Sequence, residues 1–226
     1  MTKIYKYNHA KDEILIRYAT ENDLEALINI SRISFPHRMD WCTRSQSKKW
    51  WKCSLASKFS ETWVSQFNGQ VAGYVRLVTD LKKYQKESKE LRPDLMTLFY
   101  AFSIRPWLLP IKIVNKIIYV TSGRVRYIDS DNPKDYNNSL WAYTMAVLPE
   151  MQNKGIGTSM IHCRDQRALE LGYDSIKIWI EKKRKVSIRL HEKYGFIRTA
   201  KIGQYFEYIK VLSKKNNNQP AFSKIQ

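Results

Sequence analysis

LWAYTMAVLPEMQNKGIGT, residues Leu140–Thr158, decides how the rest of the chain is read. Leu140 to Leu148 is short, apolar and aromatic, the composition of a strand. It ends at Pro149-Glu150, and glycines follow at Gly155 and Gly157. Ser159 to Leu171 then reads as a helix that stops at Gly172. A strand, a glycine-bearing turn and a helix start, in that order, make an anion cradle. Successive N–H groups point outward at the turn, and the helix dipole adds partial positive charge. Glycine removes the Cβ that would hold a phosphate away from the backbone. The ligand expected at Gln152–Thr158 is therefore a diphosphate. The spacing is not that of a P-loop, because Lys154 precedes the first glycine. It is not the dinucleotide fingerprint either, which needs a further glycine and an acidic ribose reader.

Working outward, Asp174–Glu181 (DSIKIWIE) reads as a strand, and Ser187–Phe196 (SIRLHEKYGF) as a helix closing at Gly-Phe. Upstream, Ile14–Ala19 is a strand. Glu21–Ile33 follows with helical spacing at Leu24, Leu27, Ile28 and Ile30, and Thr20 is its N-cap. His37–Ser60 is a second helical region, with Trp50, Trp51, Leu55 and Phe59 available for an apolar stripe. Thr62–Leu77 is a hairpin turning at Asn68-Gly69. Thr79–Asn138 is the unusual part, sixty residues where a compact domain needs only a short connection. Leu81–Leu91 is a charged amphipathic helix candidate, Leu95–Tyr100 and Trp107–Val120 are apolar with embedded basic residues, and Asp129–Asn138 is a turn-rich loop. The segment reads as a lid, as extra helices packed on the domain, or as an amphipathic element touching a membrane surface.

The Gln-x-x-Gly-x-Gly turn of Gln152–Gly157 after a Pro-Glu strand end, joined to the EKYGF ending of Glu192–Phe196, resembles the GNAT family of N-acetyltransferases. The first strand and acidic helix start, the hairpin and the Asp174–Glu181 strand extend the resemblance to about half of the chain. It implies an α/β (α+β) fold: a mixed, mostly antiparallel central sheet, flanked by helices and splayed between its fourth and fifth strands. A single domain would cover 1–212, with a helical insert at about 79–138 and a polar, flexible tail at 213–226. It also implies acetyl-CoA as cosubstrate, no metal, and acetyl transfer to a primary amine by direct attack in a ternary complex. On this sequence the Met145 N–H would polarise the acetyl carbonyl, and Ala146 and Val147 would pair with the pantetheine. Gln152, Asn153, Lys154, Gly155, Ile156, Gly157 and Thr158 would hold the pyrophosphate. The family's tyrosine, which protonates the departing thiolate, falls at His191, with Tyr194 one turn on. Its asparagine after the fifth strand falls at Lys185, a point charge for a CoA phosphate. Tyr143 would line the acceptor pocket, and acceptor choice would lie with His37–Trp51 and the insert, through aromatics such as Trp41 and Trp107.

The chain has 226 residues and 43% hydrophobic content, enough for one full core. Its 39 Lys+Arg against 21 Asp+Glu give a net charge of +18, which attracts anions such as CoA. No nucleic-acid reader motif accompanies that charge, so no specific nucleic acid is expected. Cys42, Cys53 and Cys163 form no CxxC and read as packing residues in a reducing compartment. The N-terminal segment has no apolar core and no uninterrupted apolar run spans a membrane, so the expected location is the cytoplasm. The expected partners are a small-molecule amine and a second copy of the chain. The competing functions are a non-catalytic acyl-CoA-binding sensor and a protein or peptide N-acetyltransferase.

Overall fold

The computed structural model describes residues 4–9, 12–36, 43–89, 124–126, 138–212 and 223–225. The expected hairpin is its middle: β3 (Ser60–Phe67) and β4 (Gln70–Val78) run antiparallel. They join at Asn68 and Gly69, with φ of 50° and 79°. Both central residues are left-handed, as a type I′ turn requires to match strand twist. β2 (Asp12–Tyr18) pairs on the far side of β3, and β1 (Ile4–His9) lies outside β2. Thr20 caps the turn into α1 (Leu24–Ser34): its N–H and hydroxyl donate to the Asp23 carboxylate at 2.7 and 3.1 Å. Arg17 holds the same carboxylate with two bonds of 2.8 Å. α2 (Arg44–Ala56) begins with a capping box between Thr43 and Gln46. It carries Trp50, Trp51 and Leu55, while Phe59 falls beyond its end.

β6 (Ser139–Val147) pairs antiparallel with β4. Arg76 faces Thr144 and Leu77 faces Ala142, so Tyr143 is the extra residue of a bulge. After a short turn comes α4 (Ile156–Glu170), then β7 (Ser175–Glu181), α5 (Lys185–Lys193), β8 (Ile197–Ile202) and β9 (Tyr205–Val211). The sheet is antiparallel except where β6 meets β7. Helices cover both faces. α1 and α2 enclose a core of Leu27, Ile30, Trp51, Val64 and Tyr74. On the other face α4 brings Ile156, Met160 and Cys163 against Ile14, Trp63, Val75 and Leu77, and Ile188 of α5 packs against them.

Three expectations need correction. The insert is not helical throughout: α3 (Leu81–Lys89) is helical, but β5 (Arg124–Arg126) is a strand antiparallel to β8. The tail is not wholly without structure, since β10 (Ser223–Ile225) pairs with β1. Among the described residues the sheet thus has ten strands, ordered β10-β1-β2-β3-β4-β6-β7-β9-β8-β5. Of the two described cysteines Cys53 is exposed and Cys163 is the packing residue; burial raises the Cys163 thiol pKa. Cys42, Trp41, Trp107 and the apolar segments of the insert lie outside the described residues.

Candidate active site

β6 and β7 share three register pairs, Ser139 with Ser175, Leu140 with Ile176 and Trp141 with Lys177, and then part. β6 stays with β4 through Val147 while β7 stays with β9 through Glu181. A cleft of about 700 Å³ lies at the parting. Strand alternation decides what faces it. Leu148 N–H donates to the Ala72 carbonyl at 2.9 Å. Ala146, two residues back, therefore also turns its N–H and C=O toward β4, and those of Met145 and Val147 turn toward the cleft. Among the three sequence-predicted strand residues, Ala146 thus contributes a buried methyl group instead of a free amide.

The far end of β6 leads into the glycine turn. Gly155, with φ of 76°, caps α4, and Asn153 is also left-handed at 63°. Ser159 N–H bonds the Gly155 carbonyl at 2.9 Å. The amides of Ile156, Gly157 and Thr158 precede that first bond and have no carbonyl a turn behind them. A Cβ on Gly157 would meet only Leu190, at 3.5 Å, so local packing does not demand a glycine there.

Of the predicted site residues, Met145, Ala146, Val147, Gln152, Asn153, Gly155, Gly157, Thr158, Lys185 and His191 line this one cleft. The other three have their side chains elsewhere. Lys154 Nζ lies over the Phe67 ring, 5.0 Å from its centre. Ile156 is a core residue. The Tyr194 hydroxyl donates to Thr158 Oγ1 at 3.1 Å.

His191 is buried against the edge of Phe196. Its Nδ1 lies 2.8 Å from the Ser187 carbonyl, an acceptor only, so Nδ1 carries the proton. Burial and the Arg164 charge push its pKa down to about 4. At neutral pH it is therefore the uncharged imidazole, with its proton already engaged, a poor acid for a thiolate.

The structure adds residues that sequence reasoning passed over. Arg164 is fully buried yet lines the cleft. Its Nε and Nη2 bond Asp165 Oδ1 at 3.1 and 2.9 Å, and Nη1 has no hydrogen-bond partner. A charge interrupting the Met160–Cys163–Ala168 stripe was its only signal. At the mouth, Arg184 ties the walls together, donating to the Ser34 carbonyl of α1 at 2.8 Å and to Glu181 at 3.2 Å. Ile33, Phe35, Tyr143 and Trp179 line the same opening. Behind Tyr143 sits Arg76, fully buried, bonded to Ser54, Tyr84 and Thr144 hydroxyls and stacked at 4.3 and 4.9 Å over Trp50 and Tyr143. Among the described residues no cluster of three or more metal-binding side chains occurs, and no helix is long and apolar enough to cross a membrane.

The splayed strands, the glycine turn and the helix start fall within a region matched by the sequence profile of the Acetyltransferase (GNAT) family, which covers residues 24–196. The chain is a member of the GNAT acetyltransferase family. GNAT proteins of known structure share its fold. The PaiA N-acetyltransferase of Thermoplasma acidophilum, in complex with coenzyme A, superimposes with a TM-score of 0.55 at 13% identity, covering 88% of this chain and 98% of that one. A spermidine N-acetyltransferase chimera from Vibrio cholerae and hSSAT gives 0.57 at 12%, covering 90% and 98%. The ribosomal-protein-S18-alanine N-acetyltransferase of Escherichia coli gives 0.52 at 12%, covering 92% and 99%. At such identities the likeness is one of fold. No curated protein matches this GNAT chain.

Proposed function

We propose that this GNAT protein transfers an acetyl group from acetyl-CoA to a primary amine of a small-molecule acceptor, by direct attack in a ternary complex. The observation that carries the reading is the parting of β6 from β7. It leaves the Met145 and Val147 amides unpaired in a cleft that ends on the start of α4. In this reading Met145 N–H polarises the acetyl carbonyl, a donor of the kind worth about 3–4 kcal/mol in the transition state. Val147 aligns the pantetheine. The amides of Asn153 to Thr158 hold the pyrophosphate, and Lys185 meets a phosphate from the rim. The amine enters past Phe35, Tyr143 and Trp179, and proteins that share this fold include enzymes named for spermidine and for the alanine of a ribosomal protein.

The test has two parts. Calorimetry should show acetyl-CoA binding that is lost in Gly157→Asp, where a carboxylate meets the pyrophosphate. Thiol detection across amino acids, polyamines, aminoglycosides and peptides should then find an amine that releases CoA. Unchanged affinity in a folded Gly157→Asp protein would overturn the assignment. One observation favours a second reading, a non-catalytic acyl-CoA sensor: His191, at the family's proton-donor position, is uncharged and engaged. Tight acetyl-CoA binding without CoA release for any amine would select it.

A further inference from the structure

Acetyl transfer creates an anion that needs a partner. As the amine nitrogen bonds the thioester carbon, the C–S bond breaks and its electron pair goes to sulfur. Neither side chain expected to protonate that sulfur is well placed. His191 gives its proton to Ser187, and Tyr194 gives its own to Thr158. Four cations line the cleft among the described residues. Lys183 and Arg184 share Glu181, and Lys185 is exposed at the rim. Arg164 differs in being fully buried, with Nη1 unpartnered.

Its surroundings do not neutralise it. Asp165 is the one carboxylate bonded to it, and Lys210 Nζ bonds the other oxygen of that group. Two cations thus share one anion. His162 on α4 and His191 on α5 also face the cluster; burial lowers both pKa values, so neither offsets nor adds charge near neutral pH. The π face of Phe196, 4.6 Å from the guanidinium carbon, is its remaining compensation. A buried guanidinium N–H without an acceptor is costly. It is stabilised when an anion arrives beside it.

We propose that Arg164 Nη1 binds the CoA thiolate as it leaves, taking the place of a proton donor; this rests on the acetyl-CoA reading above. The N–C bond forms, the C–S bond breaks, and the electron pair stays on sulfur as one half of an ion pair. The surplus proton of the amine passes to water, and sulfur is protonated by solvent once CoA has left.

The probes are CoA and desulfo-CoA, which lacks only the thiol, titrated calorimetrically at neutral and alkaline pH. Wild type should prefer CoA, and the preference should grow about tenfold with pH, the mark of a thiol pKa lowered by roughly one unit. Arg164→Gln should abolish the preference and leave desulfo-CoA affinity within about twofold, because Asp165 keeps Lys210. Arg164→Lys should retain most of it. No pH-dependent preference in wild type overturns the proposal, and that measurement needs no variant to fold. Equal weakening of both ligands in Arg164→Gln also overturns it, by making Arg164 structural. So does a wild-type kcat/KM higher for succinyl-CoA than for acetyl-CoA and lost in Arg164→Gln, since the guanidinium would then read an acyl carboxylate. If wild type binds neither probe, the acetyl-CoA reading falls, and this inference with it.

Discussion

Along one edge β6 is held to β4 by six register pairs; along the other it holds β7 by three and lets go. Each seam has a fully buried arginine with one unpaired nitrogen, Arg76 on β4 and Arg164 on α4. Arg76 is walled in by aromatic faces and three hydroxyls, and it does not line the cleft. Arg164 does line it. The same residue type thus does opposite work. In the closed seam the guanidinium hydrogen-bonds three hydroxyls and fastens α2, α3 and β6 to β4. In the open seam one guanidinium nitrogen is left without a hydrogen-bond partner, on a residue that lines the cleft.

The largest expected effect breaks the closed seam. Arg76→Ala removes three hydrogen bonds and leaves a cavity among Trp50, Trp51 and Tyr84, so denaturant unfolding should show a loss of about 3–5 kcal/mol. A loss below about 1 kcal/mol would mean the cage is not structural.

Acid tests the open seam. His191 has its pKa lowered from 6.5 to about 4 in the folded chain, so below 6.5 the unfolded state binds the extra proton first. Its contribution is complete above pH 6.5 and lost as pH falls toward 4, roughly 3 kcal/mol in all. His162, also lowered from 6.5, adds to the same window, whereas Asp23 and Glu61 begin from 3.8 and 4.5 and act at more acid pH. Denaturation in urea across this range should show the slope, and His191→Gln should flatten it.

Two glycines sharpen the contrast at smaller cost. A Cβ on Gly73 would stand 2.7 Å from the Ala146 carbonyl oxygen. Gly73→Ala must therefore push β4 and β6 apart, and thermal unfolding should show a loss of about 1–3 kcal/mol. Gly157→Ala, on the open side, should leave stability within about 1 kcal/mol, on the favourable side if anything, while weakening acetyl-CoA binding. Equal destabilisation by the two would mean that the seams do not differ.

Much of this was legible in the sequence because it is local. The Asn68-Gly69 turn, the Thr20 cap and the Gln152–Thr158 turn each follow from conformational rules acting over a few residues. The strands β1, β5, β8, β9 and β10 were not read from the sequence. Each lies toward an edge of the sheet, and β5 and β10 have three residues apiece, too few for a periodic pattern. Ala146 was misjudged because a sequence gives a strand but not which of its amides a neighbour takes. Arg76 and Arg164 were missed for a related reason: a charge looks the same in a list of residues whether buried or solvated, and the partners of Arg76 come from three separate segments. Cys53 shows the converse, an apolar residue type left on a helix's exposed side.

The bulge at Tyr143 acts on β6 as a frameshift acts on a message. Ala142 and Met145 pack against the same core although they are three residues apart, which strict alternation forbids. The extra residue resets the phase, so that the segment paired with β7 and the segment facing the cleft each keep their own inside and outside. Substitution at Tyr143 changes one letter. Deleting it would preserve almost the whole composition of the strand and yet turn one half of β6 inside out relative to the other, presenting the Ala146 amide to the cleft or Leu140 to solvent.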